Sequence, residues 1–423
     1  LKNKLTINRT RFGLAIVFHS KNKRKILNDP VYGFVTIPND LIFDLIENKF
    51  FQRLRRIKQL GLSNLVYPGA LHTRFHHCIG AMNLMDQSLN ILERKGIKIS
   101  QEEKEAALAA IILHDIGHGP FSHTLENTII KIPHEQISIA FMKRLNEEFN
   151  GKLSLAISIF LNEYHKKFLH QLISSQLDVD RLDYLRRDSF YTGVSEGIIS
   201  YERIINMLNV HNNELVVEEK GIYSIEKFIV ARRLMYWQVY LHKTTVAADE
   251  ILKKALKRAK ELSNIGHDLP ASTSFKFFLE NNFDASSLSN TNVVEKFALL
   301  DDSDVISALK EWTIYDDDIL KTLSINMINR KLPHILFGEQ QCTDKVVDNI
   351  LNELKEQGFN KKEIAYYTSL GSVENEAYKH SGNEIKILRK NGDIEDIAEA
   401  SDNYNIHALK DTVKKPFFIF PRR

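Results

Sequence analysis

The chain has 423 residues, with 57 Lys+Arg against 54 Asp+Glu and a formal net charge of +3. That length exceeds one ordinary core and predicts more than one lobe. Hydrophobic content of 43% and charged content of 26% exclude disorder for the bulk of the chain. The near-balanced charge argues against a nucleic-acid coat, and two cysteines, Cys78 and Cys342, exclude a disulfide framework. The expected location is a reducing cytoplasm. The apolar run Phe12 to Phe18 is short and is followed by the charged run Lys21 to Lys25, so neither a signal peptide nor a membrane helix is expected.

Residues 1–28 read as a mixed, basic N-terminal extension, and Asp29-Pro30, Gly33 and Pro38 mark turns. From Asn39 the apolar spacing of Leu41, Leu45, Ile46 and Phe50, continued by Leu54, Ile57 and Leu60, predicts one helix stopped at Gly61. A second helix is expected from about His72–Phe75 to Lys95. Ser100 and Glu103 have capping-box spacing and predict a helix from Gln101 to about Asp115. Further helices are expected at 134–149, 153–163, 168–176, 178–188, 200–209 and 225–263. The last ninety residues differ. Ile364 to Thr368 reads as a strand, and Ile385 to Leu388 with Ile394 reads as a hairpin with a type I′ turn at Asn391-Gly392. Phe417 to Phe420 reads as a final strand. The expected fold is mainly α: a helical core over 29–263, a helical extension over 264–335 and a small α/β C-terminal lobe over 336–423.

Seven of the 16 histidines fall between His72 and His134: His72, His76, His77, His114, His118, His123 and His134. Histidine is a common metal ligand and proton carrier near neutral pH. His114-Asp115 ends the apolar helix Ala106 to Leu113, where a buried polar pair is costly unless it is paired or bound to metal. Neighbouring helical residues point about 100° apart, so both reach one ion only if it lies between them. His77 on the preceding helix and Asp180 on a later one complete two imidazoles and two carboxylates. Such a set suits a divalent metal ion, whether Fe, Mn, Zn, Ni or Mg, with open positions for water.

The pattern His77…His114-Asp115…Asp180 resembles the metal-binding pattern of the HD-domain phosphohydrolases. Three longer strings accompany it: Phe51-Gln52-Arg53-Leu54-Arg55 to Gly61, Tyr67-Pro68-Gly69-Ala70 to His77, and His114 through His123. Together they resemble the deoxynucleoside triphosphate (dNTP) triphosphohydrolases, over roughly residues 25–335. The resemblance implies an HD-domain helical core and hydrolysis of a dNTP to deoxynucleoside and inorganic triphosphate. It implies His77, His114, Asp115 and Asp180 as metal ligands. It places His118, His123 and His134 around the triphosphate, with Glu126 pairing one of these histidines, and Arg74 on the α-phosphate. Arg181, Arg232 and Lys243 are implied on the phosphates. Gln59, Leu60 and Asp188 are implied at the sugar, where Leu60 would crowd a 2′ hydroxyl, and Tyr184 and Tyr240 line sugar and base. His72 and His76 are left as structural.

The resemblance further implies that Lys25, Glu47, Gln52, Arg55 and Arg330 bind a GTP or dNTP activator between subunits of a homo-oligomer, a dimer or tetramer. Glu47 replaces an aspartate there, and His334 stands where a relative has lysine. The same metal set would also serve an HD phosphohydrolase acting on a monophosphate, cyclic or alarmone nucleotide, which would release no triphosphate. A non-enzymatic nucleotide- or nucleic-acid-binding protein would use the basic runs Lys21 to Lys25, Arg53 to Lys58 and Lys253 to Arg258, but such runs usually form solvated faces.

Overall fold

The structure, a computed structural model, describes residues 25–121, 124–126, 128–376, 378, 384–403 and 412–422, and the backbone alone of 6–10, 13–17 and 123. Strands β1 (Thr6–Thr10) and β2 (Gly13–Val17) pair antiparallel, as do β3 (Ile26–Asp29) and β4 (Gly33–Thr36). The second turn is tied by Asp29, whose carboxylate accepts from Val31 N at 2.8 Å and Tyr32 N at 3.0 Å.

The apolar stripe from Leu41 to Ile57 is buried as expected, but it is not one helix. Helix α1 (Asp40–Glu47) ends at Asn48, α2 (Lys49–Gln52) follows, and a 3₁₀ turn takes Arg53–Arg56. Asn48 is extended, with ψ 142°, and its side chain accepts from Phe50 N at 3.0 Å. One asparagine therefore stops the first helix and caps the next.

Helices α3 (Arg74–Arg94) and α4 (Gln101–Leu113) follow the expected bounds closely. Ser100 and Glu103 form the reciprocal capping box, at 3.1 Å and 2.7 Å. The core continues through α5 (His123–Glu126), α6 (His134–Glu148), α7 (Ser154–Phe160), α8 (Lys167–Ile173), α9 (Val179–Thr192) and α10 (Tyr201–Met207). Asp178 caps α9 and Gly193, at φ +74°, ends it. A hairpin of β5 (Leu208–His211) and β6 (Glu214–Glu218) leads to α11 (Ile222–Met235). The single helix expected over 225–263 is interrupted. A wide turn at Tyr236–Tyr240 follows α11, and His242, with ψ 130°, caps the start of α12 (Lys243–Asn264).

Helix α3 packs against both α4 and α9. The α9 contact requires glycine at position 80, because a Cβ there would fall 2.0 Å from Asp183 Oδ1 and 2.2 Å from Arg187 Nη2. The helical part closes with α13 (Thr273–Glu280), α14 (Thr291–Phe297), α15 (Asp302–Trp312) and α16 (Asp318–Ile328). The chain is mainly α, with small sheets. No helix among the described residues is long and apolar enough to cross a membrane.

The C-terminal part contains β7 (His334–Phe337), α17 (Asp344–Glu356), α18 (Lys361–Tyr367), β8 (Ser369–Asn375), β9 (Lys386–Leu388), β10 (Ile394–Asp396), α19 (Ile397–Ala400) and β11 (Val413–Phe420). The strand expected over Ile364–Thr368 is helix α18 up to Tyr367. Asn360 and Glu363 form a capping box there, which favours the helix. The β9–β10 hairpin is present, but its turn is not type I′. That turn needs positive φ at both central residues, and only Gly392, at φ +92°, has it. Asn391 instead accepts from Asp393 N through its side chain, at 3.1 Å. Strand β9 pairs parallel with β6, so the β9–β10 hairpin extends a sheet of the helical core. Strands β7, β11 and β8 form a separate antiparallel sheet, and Phe417 and Ile419 pack on Val246 and Ala247 of α12.

Candidate active site

Three helices aim polar side chains at one point. Helix α3 supplies His77, α4 supplies His114 at its C-cap, and α9 supplies Asp180 in its first turn. His77 Nε2 lies 2.9 Å from Asp180 Oδ1 and 3.3 Å from His114 Nε2, and His114 Nε2 lies 3.5 Å from Asp180 Oδ1. Ligands sharing one ion at about 2.1 Å sit roughly 3.0–3.5 Å apart, so this set fits a divalent metal. Each imidazole is fixed from behind. Nδ1 of His77 is 2.7 Å from Asp183 Oδ2, and Nδ1 of His114 is 2.6 Å from the Ile111 carbonyl. Both Nε2 atoms are thereby left facing the shared point.

Electrostatics agree with that reading. Burial disfavours charge on His77, yet its hydrogen bonds to Asp180 and Asp183 outweigh burial and raise it to about 10. His114 is also raised, against burial, by Asp115 and Asp180. Asp180 is held far below the usual carboxylate range, against burial, by the two imidazoles. A cluster that draws in positive charge this strongly suits a cation.

The backing continues outward. Arg187 binds Asp183 at 2.9 Å and 3.0 Å and Asp29 at 2.8 Å, and all three are buried. Asp183 and Arg187 stand one turn apart on α9, whereas Asp29 arrives from the end of β3.

Asp115 borders the shared point with a different orientation. Its Oδ1 is 3.4 Å from His114 Nε2 and 3.3 Å from His118 Nε2, and its Oδ2 takes Arg74 and lies 3.8 Å from His77 Nε2. Burial opposes its charge, but His114, Arg74 and His118 hold its carboxyl well below the usual range. His118 is pushed well down by burial and by Arg74, so it is neutral near pH 7. Its ring stacks on His134 at 3.8 Å, and His134 Nδ1 lies 3.3 Å from Glu126 Oε2. The His123 side chain lies outside the described residues.

The loop bearing these groups is anchored by Arg53, which the sequence motif contained without a role. Its guanidinium donates to the carbonyls of Ile116, at 2.8 Å, and His118, and sits beneath Phe141 and Phe297. Gly117 permits the loop to meet α6, since a Cβ would fall 2.2 Å from the His134 carbonyl.

A second wall stands beside the first. Tyr240, carried by the wide turn, donates to Asp188 Oδ2 at 2.8 Å and meets Tyr184 edge-on at 6.0 Å. His72 takes the other Asp188 oxygen at 2.7 Å. Gln59 and Leu60 are half-buried, and Gln59 N donates to the His72 carbonyl at 3.0 Å. Arg181 is engaged by Asp178, Arg232 is buried 5.8 Å from the Tyr236 ring centroid, and Lys243 is exposed at the start of α12.

The expected regulatory residues occupy another face. Glu47, Arg55 and Lys25 are exposed. Arg55 Nε donates to Gln52 Oε1 at 2.9 Å and covers the Phe75 ring at 3.5 Å, while Lys25 lies 4.6 Å from the Phe43 ring centroid. Arg330 binds the Leu65 carbonyl through Nε and Nη2, at 3.0 Å and 2.8 Å. A 430 Å³ cavity between α12, α16 and the C-terminal sheet touches Arg330 but none of the metal-facing residues.

Comparison with known proteins accords with this geometry. Residues 74–188 match the HD domain, and residues 199–269 match the HD associated region. The chain is 32% identical over 393 residues to an uncharacterized Bacillus subtilis protein, YwfO, covering 90% of this chain and 88% of that protein. It is 51% identical to a phosphohydrolase of known crystal structure from Bacteroides thetaiotaomicron, with a TM-score of 0.89, covering 94% of this chain and 100% of that one. It is 28% identical over 286 residues to the human deoxynucleoside triphosphate triphosphohydrolase SAMHD1, covering 57% of this chain and 45% of that protein. The chain therefore spans less than half of the human enzyme.

Proposed function

The chain belongs to the HD-domain phosphohydrolases, metal-dependent enzymes, and on that premise we propose that it hydrolyses dNTPs to deoxynucleoside and inorganic triphosphate. The observation that carries the reading is the pairing of two walls. The cation-seeking cluster of His77, His114 and Asp180 stands beside Asp188, Tyr240 and Gln59, which offer hydroxyl-binding groups and an aromatic side. Similarity to dNTP triphosphohydrolases supports the substrate class.

A divalent ion at the first wall, when bound, supplies Lewis acidity and activates water. His77, His114 and Asp180 would hold it, with Asp115 at its edge. Arg74, already aligned by Asp115, offers its guanidinium fork to the α-phosphate. Neutral His118, whose Nε2 faces Asp115, lines the triphosphate site without adding charge. Water attacks the α-phosphorus, the bond to the 5′ oxygen breaks, and the triphosphate leaves whole. The 5′ oxygen must then gain a proton, for which His134 beside Glu126, together with His123, is assigned. Arg181, Arg232 and Lys243 are assigned to the remaining phosphates. Leu60 crowds C2′ and Tyr184 faces the sugar.

Activation by GTP or a dNTP at Lys25, Glu47, Gln52, Arg55 and Arg330 belongs to the same reading, as do a homo-oligomer and a cytoplasmic location. The test incubates the metal-loaded enzyme with each dNTP, with and without GTP, and quantifies triphosphate by ion chromatography. One triphosphate per deoxynucleoside is expected. Release of ortho- or pyrophosphate, or turnover of monophosphate, cyclic or alarmone nucleotides alone, would replace it with another phosphohydrolase reaction.

A further inference from the structure

His72 touches both groups assigned to the sugar hydroxyl. We propose that it is a positioning residue that fastens Asp188 through its ring and Gln59 through its backbone, and so sets selection for a nucleotide bearing a 3′ hydroxyl. The inference rests on the dNTP reading above.

The His72 side chain is fully buried. Its Nδ1 has no hydrogen-bond partner among the described residues, whereas Nε2 is 2.7 Å from Asp188 Oδ1. The ring proton therefore belongs on Nε2, where the carboxylate accepts it. Tyr240 donates to the other Asp188 oxygen at 2.8 Å. The two donors, one on each oxygen, fix the carboxylate plane and still leave lone pairs for a sugar hydroxyl. The ring is itself held flat against Tyr191, with centroids 4.4 Å apart and an interplanar angle of 14°. Gly69 lets this loop approach α9, because a Cβ there would lie 2.6 Å from the Tyr191 carbonyl.

The backbone contact is the second half. The His72 carbonyl accepts from Gln59 N at 3.0 Å, which ties the turn bearing Gln59 to the same loop. Gln59 Oε1 is buried and has no hydrogen-bond partner among the described residues. A buried acceptor left open is costly unless a ligand donates to it. Asp188 and Gln59 thus present two acceptors whose spacing depends on one histidine.

The test uses the full-length, metal-loaded protein. Binding of dGTP and of its 2′,3′-dideoxy counterpart is measured by calorimetry, and triphosphate release is measured in parallel. The wild type should prefer dGTP. His72→Phe keeps the ring stack but loses the donor, and it should weaken dGTP about tenfold while shifting the dideoxy nucleotide less than about twofold. His72→Gln, whose amide reaches the Nε2 position, should restore most of the preference. His72→Asn, one methylene shorter, should not, and this pair decides the matter if His72→Phe fails to fold. Equal weakening of both nucleotides by His72→Phe and His72→Asn, or no preference in the wild type, would overturn the inference. Intact 3′-hydroxyl preference without triphosphate release would retire the dNTP hydrolysis reading and leave the role of His72 standing.

Discussion

The metal-facing wall and the face bearing Lys25, Glu47, Gln52 and Arg55 both consist of charged and polar side chains, but they are held differently. At the wall the groups back one another in a chain that crosses three elements: His77 of α3 by Asp183 of α9, Asp183 by Arg187 one turn on, and Arg187 by Asp29 at the end of β3. These groups are buried, so their arrangement is enforced by the cost of leaving any one of them unpaired. On the other face the hydrogen bonds of Gln52 and Arg55 are local in sequence. Gln52 holds Arg55 and the Ile46 carbonyl, and the charged ends meet solvent. The wall is held by buried partners, whereas the charged ends of the other face are held only at the surface.

The sharpest way to break this comparison is at the ligands. His77→Ala or Asp180→Ala should empty the site of metal, read by elemental analysis, and lower turnover by about 10³-fold. Full activity in metal-free protein would remove the wall from catalysis. Next comes the backing. Arg187→Met leaves Asp183 and Asp29 buried without their cation and should cost about 3–5 kcal/mol in denaturant unfolding. It should also weaken metal binding roughly 10–100-fold through the released His77. Gly80→Ala should act in the same direction by crowding Asp183 and Arg187.

Leu60→Gly should raise the turnover of ribonucleotides relative to deoxyribonucleotides by about tenfold, and an unchanged ratio would remove Leu60 from sugar selection. A smaller effect is expected from Asp249 of α12, which faces Thr124 and is raised to about 7 by burial. Its folded form keeps a proton that the unfolded chain loses above about pH 4. The contribution of Asp249 to stability should therefore fall as pH rises from about 4 to 7, and Asp249→Asn should make thermal stability less steeply dependent on pH in that window. The smallest effect belongs to the exposed face. Arg55→Ala should shift unfolding by no more than about 0.5 kcal/mol and show itself only as weaker stimulation by added GTP.

Much of the molecule was legible from local pattern. The Ser100–Glu103 box, the bounds of α3, the start of α9 and the buried stripe from Leu41 to Ile57 all follow from side-chain spacing and capping chemistry. The errors also have local causes. Asn48 prefers capping α2 to continuing α1, and Asn360 with Glu363 nucleates a helix where Ile364 to Thr368 reads as a strand. The wide turn at Tyr236–Tyr240 is different, because no breaker residue marks it, and it delivers Tyr240 to Asp188. By sequence His72 reads as structural, because the family resemblance gives it no role. Its partner lies 116 residues away.

The sequence by itself determined the residue types of the site, the helices that carry them and the resemblance to HD phosphohydrolases, since these depend on composition, spacing and capping within a few residues. Only the tertiary structure decided who backs whom: Asp29 behind Arg187, Arg53 beneath the His118 loop, and His72 between Gln59 and Asp188. Those choices are settled by burial, where a polar group takes whichever partner the packed elements bring within about 3 Å, whatever their distance along the chain.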